Sequence, residues 1–187
     1  QRSGSEFSKL GWQQLGRAGR EFVSSGPSAA NISAFTQRPA MEPIRLYAGL
    51  PVAETPEERA AILLEELIRV KAFDRSALVV ITPTGTGWVD PSAIDGLEFL
   101  LDGDVASVGL QYSYLNSPMS LIFQPENGLE SAQALFRTVY NYWKKLPVTQ
   151  RPKLYLHGLS LGAFNSQRAM TFLDILGDPI HGAVWSG

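Results

Sequence analysis

From Pro43 onward, apolar positions fall in short runs that alternate with stripes of helical spacing. Residues 44–50 form a first β-like run. Thr55-Pro56-Glu57-Glu58 then reads as a capping box, with a hydroxyl at the N-cap, proline at the first helical position and glutamate two positions later. Ala60, Ala61, Leu64, Leu67 and Ile68 follow on one helical face. Residues 77–82 are an apolar, β-branched strand. Asp90-Pro91 caps a helix whose Ile94, Leu97 and Leu101 share a face. Residues 105–112 predict a third strand. Leu129, Ala132, Leu135, Phe136, Val139 and Trp143 mark a long amphipathic helix. Residues 154–157 predict a short strand, 161–176 a helix closed by Gly177, and 180–186 a fifth strand.

Strands alternating with helices imply a parallel sheet covered on both faces, because each crossover lays a helix on the sheet. The expected fold is therefore α/β, a three-layer α/β/α sandwich around a mainly parallel sheet. Residues 116–128 are the longest connection without a pattern. They leave the C-terminal end of a strand, where such folds place their function. Residues 1–42 differ from the rest. They are rich in Gly, Ser and Pro and hold two weak helical patterns, one through Leu15, Ala18 and Phe22, the other from Pro27 to Phe35. They read as a leader that packs on the domain, with a helix lying at a membrane surface as the alternative. Residues 43–187 read as the N-terminal portion of a catalytic domain.

Composition narrows the chemistry. The chain has 187 residues, no cysteine and only two histidines, His157 and His181. Thiolate nucleophiles, cysteine-ligated metals and disulfides are excluded. A formal net charge of -2 without a basic block argues against nucleic-acid binding. No apolar run approaches the roughly 18–20 residues that span a bilayer.

Gly158-Leu159-Ser160-Leu161-Gly162 matches G-x-S-x-G, with a strand before it and a helix after it. That context suits a nucleophile elbow: a sharp strand-to-helix turn exposes the Ser160 hydroxyl above the sheet, and Gly158 and Gly162 let backbones approach closely. The alternative is a glycine-rich turn with a capping serine. Leu161 would offer its N–H at a helix N-terminus, a natural oxyanion donor. A second donor is expected in the loop Pro83-Thr84-Gly85-Thr86-Gly87-Trp88, among Thr84, Gly85 and Thr86. Gly85-x-Gly87 does not continue as a dinucleotide fingerprint, since Asp90 stands where the third glycine belongs. Trp88, Tyr112 and Tyr114 are candidate pocket walls, with packing an equal alternative for the tyrosines. His157 reads as a satisfied strand-end histidine. His181 begins the last strand, at the end opposite the site. Neither suits the role of base, so the catalytic acid and histidine are expected after Gly187. No metal or organic cofactor is implied.

The chain resembles a bacterial membrane-associated α/β-hydrolase family whose members carry a transmembrane region before the catalytic domain. The resemblance runs through Gly16-Arg17, Gly19-Arg20, Phe22-Val23, Pro43 to Leu50, Ala72 to Ser76, Gln111-Tyr112-Ser113-Tyr114-Leu115 and the serine motif. Its most specific part is Thr82-Pro83-Thr84-Gly85-Thr86-Gly87-Trp88-Val89-Asp90-Pro91. It implies a serine hydrolase or acyltransferase with Ser160 as nucleophile, a small-molecule or lipid-like acyl substrate, and membrane attachment through segments outside this chain, the periplasmic side being favoured. Family members often carry glutamate just before the serine, where this chain has Leu159. A non-catalytic scaffold and a nucleotide-binding α/β domain are the rival classes.

Overall fold

A computed structural model describes residues 2–114, 125–170 and 177–187. Five strands form one parallel sheet: β1 (Ile44–Ala48), β2 (Ala77–Thr82), β3 (Val105–Leu110), β4 (Lys153–Leu159) and β5 (Gly182–Ser186), in the order β1-β3-β2-β4-β5. The helices are α1 (Gly16–Ser25), α2 (Ala29–Thr36), α3 (Pro56–Arg69), α4 (Pro91–Leu100), α5 (Pro125–Trp143) and α6 (Leu161–Ala169).

Local chemistry sets several boundaries. The Thr55 side chain accepts from the Glu58 N–H and the Glu58 carboxylate accepts from the Thr55 N–H, so the capping box opens α3. Asp90 caps α4 by accepting from the Ser92 N–H. Several boundaries differ from the sequence reading: β1 ends at Ala48 instead of 50, β4 spans Lys153–Leu159 instead of 154–157, and β5 begins at Gly182 instead of 180. Helix α5 starts at Pro125 rather than near Leu129, because its first turn is polar and shows no apolar stripe. Helix α6 ends at Ala169, and Met170 is extended, whereas the pattern ran on to 176. The third strand stops at Leu110, two residues early. The remainder of that expected helix, residues 171–176 with Asp174, lies outside the described residues. So do residues 115–124, most of the patternless connection.

Helices α3, α5 and α6 cover one face of the sheet, while α1 and α4 cover the other. On the face covered by α3, α5 and α6 the core runs through Leu46, Leu63, Leu67, Leu78, Val108, Phe136 and Leu154, all 2% exposed or less. Residues 2–42 are bound into this body. Arg2 pairs with Arg45 in an isolated parallel bridge, the Tyr47 N–H donates to Ser3 Oγ, and Leu10, Leu15, Phe22, Val23 and Ile32 are buried. Helix α1 packs on β1, with Phe22 tilted against Tyr47.

One buried group departs from the apolar strand pattern. Arg45 on β1 is fully buried and forms a two-pronged ion pair with the equally buried Glu98 of α4. Its third nitrogen donates to the Phe22 carbonyl at 2.9 Å, and Asp95 completes the set. This pair ties β1, α1 and α4 together.

Candidate active site

The connections after β2 and β4 diverge. From β2 the chain crosses through α4 to β3, while from β4 it crosses through α6 to β5 on the opposite face. β2 and β4 are neighbours, and Thr82 pairs with Gly158 at their C-terminal ends. This is the topological switch point of the sheet, where open α/β folds leave a crevice for ligands. The two loops that rise from it are the Thr84–Trp88 turn and the serine turn.

Ser160 occupies φ 56°, ψ -123°, a conformation an L-residue holds only when its surroundings enforce it. The enforcement is visible. The Ser160 N–H donates to the Ser186 carbonyl at the end of β5 (2.7 Å), and the Ser160 carbonyl accepts from Ala163 and Phe164 at the start of α6. A Cβ on Gly158 would stand 2.6 Å from the Gly162 oxygen and 2.8 Å from Ala163 Cα. A Cβ on Gly162 would stand 2.9 Å from the Pro83 carbonyl carbon and closer still to the Thr82 and Pro83 oxygens. Both glycines are therefore required by contact between backbones. Although Ser160 occupies the N-cap position of α6, its side chain makes no cap hydrogen bond. It stands exposed at the head of the helix, unlike a capping serine. Leu161 is the first residue of α6, so its N–H lies in the first turn, which lacks intrahelical acceptors.

The neighbouring loop is closed by its own hydrogen bonds. The Thr84 N–H donates to the Trp88 carbonyl (3.0 Å), the Gly87 N–H donates to the Thr84 carbonyl (2.9 Å), and Gly87 sits at φ 86°. Thr84 is thus removed as an oxyanion donor, because its amide is spent inside the turn. Gly85 is buried and Thr86 is exposed. Two side chains outside the motif hold the turn from beneath. Tyr47 Oη donates to the Gly87 carbonyl (2.7 Å), and Gln111 Nε2 donates to the carbonyls of Thr86 (3.4 Å) and Ser113 (2.9 Å). Sequence reading missed both as site residues. Tyr47 showed as one apolar position of a strand, within the segment 43–50 that carries the family resemblance.

The expected pocket residues separate. Trp88 and Tyr114 reach the surface, at 37% and 66% exposure. Tyr112 is buried beside Gly128 and Asn165, so it packs between β3, α5 and α6 instead of lining an open wall. Burial pushes its hydroxyl well above the usual tyrosine range, with Asn165 working against that.

Neither histidine is placed as a base. His181 precedes β5 at the far end of the sheet, where its Nδ1 accepts from the Leu154 N–H. His157 lies within β4, buried, and burial lowers its pKa. It is not fully satisfied as the sequence suggested: the Val184 backbone bonds the ring, but Nε2 has no partner. The ring faces a cavity of about 720 Å³ against the sheet, lined by Val79, Ile94, Leu97, Tyr155 and Val184 among others. Ser160 does not line it.

A strained, exposed serine between strand and helix, at the switch point of a parallel α/β/α sheet, is the arrangement of the α/β-hydrolase class. Residues 44–187 match the model of the alpha/beta-hydrolase family, and the chain belongs to that family. No curated protein and no solved structure matches the chain. Among the described residues, no helix is long and apolar enough to cross a membrane.

Proposed function

We propose that this chain carries the serine nucleophile and oxyanion donors of a serine hydrolase or acyltransferase site, acting on an ester or related acyl bond. The observation that carries this reading is the Ser160 backbone at φ 56°, ψ -123° with an uncapped, exposed side chain. Strain of this kind is retained where it orients a reactive group. In the reaction, Ser160 Oγ attacks the acyl carbonyl carbon while its proton passes to a general base. The carbonyl π electrons move to oxygen, and that oxyanion is held by the N–H of Leu161 and an N–H of the Gly85–Thr86 segment. Collapse expels the alcohol or amine, which takes the proton from the base. Water, or an acceptor hydroxyl in the transferase case, then releases the acyl group and regenerates Ser160. His157 faces a cavity that Ser160 does not line, and His181 bonds the Leu154 N–H at the opposite end of the sheet, so neither is assigned as that base.

The family resemblance supports a small-molecule or lipid-like acyl substrate and membrane association. A fluorophosphonate probe tests the reading. Full-length protein should label covalently, and Ser160→Ala should abolish labelling. Folded full-length protein that does not label, or labels equally without Ser160, favours a scaffold that keeps the turn without its chemistry.

A further inference from the structure

Tyr47 is a fully buried polar side chain beneath the site, and three glycines make room for it. It is 0% exposed. A Cβ on Gly19 of α1 would stand 2.9 Å from Tyr47 Cε1, one on Gly109 of β3 would stand 3.1 Å from Cδ2, and one on Gly87 would stand 2.6 Å from Oη. Three glycines, from a helix, a strand and a loop, thus form a slot fitted to this ring. The hydroxyl at the end of the slot donates to the Gly87 carbonyl.

That bond has a consequence for the loop. A peptide plane carries the carbonyl of one residue and the N–H of the next, so fixing a carbonyl fixes the rotation of its plane. Tyr47 fixes the plane that follows Gly87, and Gln111 fixes the plane that follows Thr86. The Thr84–Gly87 and Thr84–Trp88 bonds close the turn between them. Those two planes carry the Trp88 and Gly87 N–H groups, and the Gly87 N–H in turn holds the Thr84 carbonyl, and with it the plane shared with Gly85, inside the closed turn. Preorganised donors stabilise a transition state because no reorganisation is needed as charge develops.

We infer that Tyr47 is a positioning residue for the oxyanion site, acting through the Gly87 carbonyl, with Gln111 as its partner on Thr86. The inference rests on Ser160 being the acyl nucleophile. Tyr47 touches no reacting atom. It holds the Gly87–Trp88 plane and reaches the Gly85–Thr86 segment only through the closed turn, so it acts on the transition state and leaves ground-state binding unchanged.

The test uses full-length protein and a p-nitrophenyl ester. Tyr47→Phe keeps the ring and removes only the hydroxyl. It should lower kcat by roughly 10- to 100-fold, the range a misplacement of about 1 Å produces, with KM unchanged within about twofold. Phe22→Leu loosens packing on the same ring, at 6.1 Å between centroids, without touching the hydroxyl. It should lower the thermal midpoint and leave kcat near wild type. If Tyr47→Phe does not fold, Gln111→Met should show the same split. Wild-type kcat in a folded Tyr47→Phe protein overturns the inference, as does an equal loss in Phe22→Leu. Absence of Ser160-dependent turnover in the wild type instead removes the functional reading, and the inference falls with it.

Discussion

Gly162 presses its backbone against the carbonyl of Thr82, so that the first turn of α6 rests directly on the end of β2. In an ordinary helix, alanine is better than glycine by about 1 kcal/mol. Here the order reverses, because a Cβ would collide with two carbonyl groups on a strand that cannot retreat. Gly162→Ala should therefore destabilise by about 1–3 kcal/mol, the usual cost of overpacking. Gly96 is the control. It is exposed in α4, and a methyl group added there would meet nothing within 4 Å, so Gly96→Ala should stabilise by about 0.5–1 kcal/mol. Urea midpoints of the two variants, measured side by side, should move in opposite directions.

The Arg45–Glu98 pair makes a second prediction. Both side chains are 0% exposed, so removing one partner strands the other charge in the core. Arg45→Met should cost about 3–5 kcal/mol, and Arg45→Met combined with Glu98→Leu should recover most of that loss. Equilibrium unfolding of the wild type, both single variants and the double variant measures the coupling. Additive losses would show that the two groups do not depend on each other.

His157 gives the stability a pH signature. Burial lowers its pKa below that of the unfolded chain, near 6.5. The unfolded state then binds the proton first, so stability is complete above about pH 6.5 and falls as the pH drops below it. The sensitivity should be lost in His157→Leu, which places an apolar group against an apolar cavity. Glu66 acts lower. Burial opposes its charge, but Arg69, the Lys9 N–H and Ser8 together hold its pKa below the usual glutamate value. Its contribution is present above about pH 4.5 and lost in stronger acid. Urea midpoints at pH 7.5 and pH 5.5, compared between wild type and His157→Leu, measure the His157 contribution.

Much of the scaffold was legible because it is written locally. Thr55-Pro56-Glu57-Glu58 and Asp90-Pro91 carry their caps within four residues, and strand β2 is a β-branched run ended by Pro83. The serine turn was legible for the same reason, as two glycines around one serine between a strand and a helix. What escaped is long-range. Nothing near Arg45 announces Glu98, 53 positions away, and nothing near Tyr47 announces Gly87, 40 positions away. Thr84 misled for a related reason: its threonine and glycine neighbours suit an open amide nest equally well as a closed turn, and the bond to Trp88 decides between them. The early end of α6 at Ala169 has no proline or glycine to mark it.

The proposed chemistry passes through acylation of Ser160. Full-length protein mixed with p-nitrophenyl octanoate, quenched within the first turnover and read by mass spectrometry, tests it most directly. A mass increase of one octanoyl group is expected, located on the peptide that contains Ser160 and absent from Ser160→Ala. Turnover of the ester with no adduct on that peptide, or with an adduct on another residue, would contradict it.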